Sequence, residues 1–145
     1  MRGYRHILLV LDFSPSDNLV ANKAEALALT FAAQISIIHV LDDIPMPSVP
    51  YGEVLSLEDE VDDVLLAIKK TKLKHWGERF AIPNKNLWLV WGIPQQEIAQ
   101  IALRERVDLI IVGFHEKHGL TSLFSSTAEA LLQVSHCDVL LVKAA

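Results

Sequence analysis

This sequence of 145 residues contains little of what several classes of protein require. It has one cysteine, Cys137, so an internal disulfide is excluded and a reducing compartment is expected. Lysine and arginine number 13 against 18 aspartate and glutamate residues, which gives a net charge of -5 at pH 7. Such a charge provides no basic field to attract nucleic acid or an anionic membrane, and we expect neither as a partner.

The sequence also has no apolar run long enough to form a membrane-spanning helix. The first apolar run follows basic residues, as in a signal peptide, but Asp12 interrupts it and no small-residue cleavage site follows. We therefore expect a cytoplasmic protein. A composition of 51% hydrophobic and 21% charged residues is typical of globular proteins, and the length predicts a single domain over 1–145.

Five short apolar runs rich in β-branched residues predict five strands. Their hydrophobicity is nearly continuous rather than alternating, which is typical of strands that are covered on both faces. The predicted strands are 6–12, 34–40, 87–91, 108–114 and 138–142.

Apolar residues at steps of three and four predict a helix between each pair of strands. Ser14 or Ser16 can cap the first helix, and Pro94 suits the first turn of the third. Ser56 and Asp59 resemble a capping box, so the second helix is predicted to begin at Ser56, with its charged residues on a solvated face. The predicted helices are 16–31, 56–76, from 94 onward, and 125–135.

Strands alternating with helices predict parallel βαβ units with right-handed crossovers. The fold class is therefore α/β, a three-layer sandwich around a five-stranded parallel sheet in the order 3-2-1-4-5. In this order a crevice opens where the carboxyl ends of strands 1 and 4 meet, and Asp12 to Ser14, Val40 to Asp43 and Gly113 onward surround it. The proline-rich loop 41–56 excludes helix and strand by composition, and is interpreted either as a lid or as a packed surface loop.

Few residues indicate chemistry in this crevice. The carboxylate of Asp12 is interpreted either as an acceptor for a ligand amine or hydroxyl, or as a group that accepts amides of its own turn. A phosphate-accepting receiver domain would have an aspartate at the end of strand 3, where this sequence has Trp91 and Gly92, so that interpretation fails. His115 and His118 have a spacing compatible with a metal, but no convincing ligand set accompanies them, so no metal is expected. We expect no catalytic residues and no strong enzymatic activity.

Four segments, taken in their order along the chain, resemble the universal stress protein family: HILLVLDFSPSD, ISIIHVLD, WGIPQQEIAQIALRERVDLIIVG and HCDVLLV. The resemblance implies an adenine nucleotide alpha hydrolase-like fold, a role in the stress response and a dimer in which the last strands of two subunits pair. It implies that the dimer contact is formed by Val139, Leu140, Leu141 and Val142.

Many family members hold ATP or AMP with a phosphate loop of the form Gly, two residues, Gly, nine residues, Gly-Ser or Gly-Thr. Gly113 matches the first glycine, Glu116 replaces the second, and the third is a serine, with the pair aligned either to Ser125-Ser126 or to Ser126-Thr127. The resemblance implies the following nucleotide-binding residues: Asp12, Phe13, Ser14, Val40, Gly113, His115, Glu116, Lys117, His118, Gly119, Ser125, Ser126 and Thr127.

The departures from this loop weaken the expected binding of phosphate. A serine where glycine adopts positive φ costs on the order of 1 kcal/mol, and a carboxylate beside a polyphosphate costs about as much or more. Two or three such terms of about 1 kcal/mol or more reduce affinity roughly 10²- to 10³-fold, and the affinity for AMP falls less than that for ATP. Three hypotheses follow: a dimeric sensor that binds AMP or ATP weakly, a dimeric interaction module without nucleotide, and a slow ATP hydrolase.

Overall fold

The computed structural model describes residues 3–46, 48–115 and 126–144, and for His115, Ser126 and Ala144 it describes the backbone alone. Strands and helices alternate through these residues, with a short 3₁₀ helix at Asn84–Asn86 before the third strand. They are β1 (His6–Val10), α1 (Asp17–Phe31), β2 (Gln34–Leu41), α2 (Val64–Arg79), β3 (Leu87–Trp91), α3 (Pro94–Arg104), β4 (Leu109–His115), α4 (Ser126–Val134) and β5 (Asp138–Ala144).

The strands form one parallel sheet in the order β3-β2-β1-β4-β5, which confirms the predicted fold class. Successive residues of β1 point into opposite layers. Ile7 and Leu9 join a core that also contains Val20 of α1 and Leu73 of α2. Leu8 joins a second core, together with residues of α3 and α4. Because both faces are covered, every position in this part of the strand is apolar.

The helix α2 begins at Val64, so the prediction that it begins at Ser56 is wrong. Its N-cap is Asp63, whose carboxylate accepts a hydrogen bond from the backbone N–H of Leu66 at 2.9 Å. The hydroxyl of Ser56 instead accepts the N–H of Glu58 in a local turn. Residues 52–55 pair with β3, and the eight residues from Ser56 to Asp63 connect this paired segment to the helix.

The steps of three and four in the second helix predict a buried apolar stripe, and the buried face of α2 differs from it. The predicted stripe is Leu57, Val61, Val64, Leu65, Ile68 and Trp76. Leu66 and Leu73 are buried, whereas Val64, Leu65 and Ile68 are 71%, 58% and 45% exposed. The prediction that the charged residues of this helix lie on a solvated face is wrong for Lys70. Lys70 is buried, and its ammonium group donates a hydrogen bond to the carbonyl of Asp59 at 2.9 Å. These contacts fix the rotation of α2 on the sheet.

The outer edge of β3 is covered by residues 52–55 of the same chain. Val54 forms an antiparallel bridge with Val90, and the N–H of Leu55 donates to the carbonyl of Leu89 at 2.8 Å. The indole N–H of Trp91 donates to the carbonyl of Val49 at 2.9 Å. This part of the loop is therefore packed against the sheet rather than free as a lid. After Leu41 the described residues of the loop form no helix or strand, as predicted, and Val54 contributes an isolated bridge.

The opposite edge of the sheet is β5, which pairs with β4 from Asp138 to Ala144. Among the described residues no further strand lies beside β5. Three of its apolar side chains are only half-buried, namely Val139, Leu140 and Leu141. The two edges thus differ, since β3 is closed by its own chain and β5 is open within the described part of the structure.

Candidate functional site

A cavity of about 190 Å³ lies at the carboxyl ends of β1, β2 and β4. This is the point at which the doubly wound sheet changes winding direction, and where ligands of such folds bind. Apolar side chains of β1, α1 and α3 line one part of it, including Val10, Val20 and Ile98. Charged side chains line another part: Asp12, Asp17, Asp42, Asp43 and Lys69.

The structure brings four of the predicted site residues to this cavity: Asp12, Val40, Gly113 and Thr127. Phe13 and Ser14 lie in the turn between β1 and α1 and do not line it. The backbone of His115 ends β4, and that of Ser126 begins α4. The remaining predicted residues lie outside the described residues: Glu116, Lys117, His118, Gly119 and Ser125.

Asp12 accepts an amide of its own turn, as one interpretation of its carboxylate predicts. This contact does not exclude the other interpretation, in which the carboxylate binds a ligand. Its Oδ1 accepts a hydrogen bond from the N–H of Ser14 at 3.0 Å, which closes a turn after β1. The residue is nevertheless exposed and lines the cavity. A carboxylate has capacity for further donors, so turn formation and ligand contact are compatible at this residue.

Asp17 is a site residue that the sequence analysis missed. It stands in the first turn of α1 and is only 4% exposed. Its Oδ1 accepts the N–H of Asp12 at 3.3 Å, and its Oδ2 accepts the N–H of Phe13 at 2.9 Å. Burial, a side-chain hydrogen bond with Asp12 and the negative charge of Asp12 raise the pKa of Asp17 to about 7. The two carboxyl groups therefore share a site.

The turn that Asp17 stabilises has an unusual backbone conformation. Phe13 has a φ of 60°, a region that non-glycine residues rarely adopt. Its ring stacks on the ring of His39, with centroids 4.0 Å apart and planes 24° from parallel. The ammonium groups of Lys69 and Lys72 lie 5.9 and 5.7 Å from the centroid of the Phe13 ring. These contacts compensate for the backbone cost and connect the turn to β2 and α2.

His39 is buried behind this turn at the end of β2. Its Nδ1 lies 2.7 Å from the carbonyl of Leu11, so Nδ1 carries the hydrogen and donates it. Its Nε2 lies 3.4 Å from the ammonium group of Lys69, which can donate to it. Burial lowers the pKa of His39 more than the Leu11 carbonyl raises it, and Lys69 lowers it further. His39 is therefore neutral at pH 7.

Lys69 forms an ion pair with Asp43 at 3.0 Å. Burial alone would raise the pKa of Asp43, but the hydrogen bond and charge of Lys69 outweigh it, and the pKa is lowered. The lysine thus neutralises an acid of the cavity. In the described part of the chain, the cavity lining carries more negative than positive charge. Among the described lining residues, a polyphosphate would therefore meet more repulsion than attraction.

The described residues contain no group of three or more histidine, cysteine, aspartate or glutamate residues that could hold a metal ion. No helix within residues 3–46, 48–115 and 126–144 is long and apolar enough to cross a bilayer. The described residues that line the cavity are carboxylates, one lysine, and polar and apolar side chains.

A doubly wound α/β sheet with a cavity at its switch point defines a class of small ligand-binding domains. Within that class, the model of the universal stress protein family matches residues 3–143 of this sequence. Universal stress protein A homolog 2 of Coxiella burnetii is 32% identical over 144 residues, which cover 99% of this chain and 97% of the relative. Homolog 1 of the same organism is 30% identical and covers 96% of both. The chain belongs to the universal stress protein family.

Solved structures share the same fold. Protein MJ0577, a universal stress protein of Methanocaldococcus jannaschii, matches with a TM-score of 0.61 and 26% identity, covering 98% of this chain and 97% of that one. A universal stress protein in complex with cAMP matches with a TM-score of 0.66 and 19% identity, covering 97% of both chains. At 19% identity, the similarity to the cAMP complex shows a shared fold alone.

Proposed function

We propose that this chain is a small cytoplasmic stress-response protein whose cavity binds an adenine nucleotide weakly, with AMP preferred over ATP. It acts as a sensor or regulator and not as an enzyme. One observation carries the proposal: Asp12 in the turn after β1, Val40 of β2 and Gly113 of β4 line one cavity at the switch point. Membership of the universal stress protein family supports it, as does the cAMP bound by a neighbour of the same fold.

The chemistry of the cavity suits the nucleoside end of such a ligand. The carboxylate of Asp12 accepts a hydrogen bond from the exocyclic amine of adenine, and the apolar walls pack against the base. The cavity volume of about 190 Å³ lies below the range of about 300–1,000 Å³ that encloses a whole drug-sized ligand. It therefore accommodates the base or ribose and leaves the phosphates outside.

The preference for AMP follows from charge. Asp42 and Asp43 line the cavity, and the charge of Lys69 is already paired with Asp43. Each additional phosphate charge near an acid costs on the order of 1 kcal/mol at a few ångströms, depending on screening. Glu116 adds a further acid after β4 in the sequence. ATP carries more negative charge than AMP and loses more affinity.

We further propose that the protein is a homodimer formed through β5. The half-buried side chains of Val139, Leu140 and Leu141 lie on the sheet edge that no described segment covers. Val142, on the same strand, is already buried. A second copy of β5 would bury the half-exposed side chains and pair the edge.

Mass spectrometry of nucleotide released from the purified protein tests the proposal, followed by titration calorimetry of the stripped protein with AMP, ADP and ATP. We expect AMP to bind more tightly than ATP, and Asp12→Ala to weaken AMP at least tenfold. Glu25→Ala, an exposed acid on α1, is the matched control and should bind AMP like the parent. Equal affinity of Asp12→Ala and the parent would contradict the role given to Asp12.

A second candidate is a dimeric interaction module that binds no nucleotide. The acidic lining of the cavity favours this alternative, because Lys69 leaves at most part of its charge available to a phosphate. Clean protein without released nucleotide, and no heat with AMP, ADP or ATP, would support it over the first proposal.

A further inference from the structure

The helix α2 brings an ammonium group to the wall of the cavity. The side chain of Lys69 is partly buried and lines the cavity. Its Nζ lies 3.0 Å from Oδ2 of Asp43 and 3.4 Å from Nε2 of His39. An ammonium group has three N–H donors, and these two atoms are its hydrogen-bond acceptors among the described residues. Within that part of the chain, one N–H of Lys69 therefore remains available to a ligand.

The two ring contacts of His39 determine where its hydrogen lies. The carbonyl of Leu11 cannot donate, so its 2.7 Å contact with Nδ1 requires a hydrogen on Nδ1. The ammonium group of Lys69 cannot accept, so its contact with Nε2 requires a lone pair there. His39 is therefore the neutral tautomer with its hydrogen on Nδ1. Burial lowers the pKa of His39, which favours the same neutral state.

The two acceptors of Lys69 differ in how firmly they are held. His39 is buried and its ring stacks on that of Phe13, so Nε2 is a fixed acceptor. The side chain of Asp43 is 59% exposed, and an ion pair to so exposed a carboxylate contributes little energy. His39 therefore fixes the position of the ammonium group more firmly than Asp43 does.

We propose that Lys69 donates a hydrogen bond to a neutral acceptor atom of the nucleoside bound in this cavity, and that His39 is a positioning residue that orients the ammonium group. This inference rests on the proposed function, since it concerns the same ligand. The neutral acceptors of adenosine are the ring nitrogens of its base and the hydroxyl groups of its ribose. Such an acceptor fits the cavity better than a phosphate, because Asp42 and Asp43 line it and repel negative charge.

Titration calorimetry of adenosine with the full chain and two variants tests the role of Lys69. Lys69→Met should weaken adenosine binding about tenfold or more, because a hydrogen bond from a charged donor is lost. Lys72→Met is the matched control: Lys72 also belongs to α2, and its Nζ lies 5.7 Å from the centroid of the Phe13 ring, against 5.9 Å for Lys69. Lys72 does not line the cavity, so its variant should bind adenosine like the parent. A Lys69→Met variant that binds adenosine as tightly as Lys72→Met overturns the inference.

Adenosine analogues identify the acceptor atom in the unchanged protein. The probes are 1-deaza-, 3-deaza- and 7-deazaadenosine, which each lack one ring nitrogen, and 2′-deoxy- and 3′-deoxyadenosine, which each lack one hydroxyl group. One of them should bind the parent about tenfold or more weakly than adenosine does, and this difference should disappear in Lys69→Met, where the donor is already absent. A deaza analogue with this behaviour assigns the acceptor to the base, and a deoxy analogue assigns it to the ribose. If no analogue shows a loss that disappears in Lys69→Met, the inference is overturned even where that variant binds adenosine weakly.

The positioning role of His39 is measured without a ligand. The ring nitrogen resonances of His39, followed by NMR, should show a protonated Nδ1 and an unprotonated Nε2 in the parent. The Nε2 resonance should shift in Lys69→Met, which removes its donor, and stay constant in Lys72→Met. An Nε2 that carries a hydrogen, or that does not respond to Lys69→Met, overturns the positioning role.

Failure of the inference and failure of the proposed function give different results. If the parent binds no adenosine, the proposed function is contradicted, and the role of Lys69 toward this ligand is contradicted with it. If the parent binds adenosine and Lys69→Met binds it equally well, the inference alone is contradicted.

Discussion

Replacing Asp17 with asparagine should change how the stability of the protein depends on pH. The pKa of Asp17 is 3.8 in its ordinary state and about 7 in the folded protein, because burial and then the neighbouring Asp12 disfavour the charged form. Between these values the folded protein retains a proton that the unfolded chain has lost. The contribution of Asp17 to stability is therefore complete below pH 3.8 and is lost as the pH rises to about 7.

The structure gives the magnitude of this effect. A pKa of about 7 in place of 3.8 corresponds to about 4 kcal/mol of unfolding free energy. Asparagine does not ionise and can still accept the N–H of Phe13. Relative to the parent, Asp17→Asn should thus gain stability progressively between pH 4 and pH 7, by up to about 4 kcal/mol, and little more above pH 8.

Urea unfolding followed by circular dichroism at pH 4, 5, 6, 7 and 8 measures this difference at one protein concentration. The contribution of His39 and of other titrating groups cancels, because the parent and the variant share them. Glu25→Gln, exposed on the same helix, should show a constant difference from the parent. If the difference between Asp17→Asn and the parent were the same at pH 5 and pH 8, the raised pKa of Asp17 would be refuted, whatever the cavity binds.

Three further outcomes are expected. Asp63→Ala should lower the urea unfolding free energy by about 1 kcal/mol through loss of the α2 N-cap, whereas Ser56→Ala should change it by less than about 0.5 kcal/mol; the reverse order would contradict the observed start of α2. Leu141→Glu on β5 should shift sedimentation from dimer to monomer while circular dichroism remains native, and an unchanged dimer would exclude this edge. Glu116→Gly combined with Ser125→Gly should increase ATP affinity about tenfold or more by calorimetry, and no gain would exclude a family-like phosphate loop.

The sheet was predictable because its signal is local and redundant. Each strand is a short apolar run, and covering both faces of a parallel sheet requires apolar residues at successive positions such as Ile7 and Leu8. Alternation with helices then restricts the connections to right-handed crossovers, and the order 3-2-1-4-5 followed. The start of α3 was also predictable, since a proline at its first position marks it independently of tertiary contacts.

The start of α2 was not predictable, because the local sequence offers more than one residue at which the helix could begin. Ser56, Asp59 and Asp63 are all acceptable N-caps, and the sequence alone does not rank them. In the structure residues 52–55 pair with β3 and the carbonyl of Asp59 accepts a hydrogen bond from Lys70, and neither contact can be identified from the sequence. Contacts between residues distant in the sequence thus accompany the observed start of the helix and the burial of its apolar residues.

The residues of the candidate site also fall into two groups, those that could be assigned from the sequence and those that could not. Asp12, Val40 and Gly113 could be assigned to one opening because the carboxyl ends of β1, β2 and β4 meet there whatever the details of packing. Asp17 and Lys69 could not, because their roles depend on how α1 and α2 are rotated on the sheet. In the sequence, Asp17 is an acid at a helix start and Lys69 belongs to a charged run. Only their burial and partners make them part of the cavity.

The protonation of Asp17 changes the negative charge that a nucleotide meets in the cavity. From residue types alone, the described lining of the cavity carries the charge of four aspartates and one lysine. The proton on Asp17 removes about half a negative charge at pH 7 and nearly a whole one at pH 6, because its pKa is about 7. The same sequence therefore presents a less acidic cavity to a phosphate at pH 6 than at pH 8. A change of the nucleotide preference with pH would follow from this difference without any movement of β1, β2 or β4.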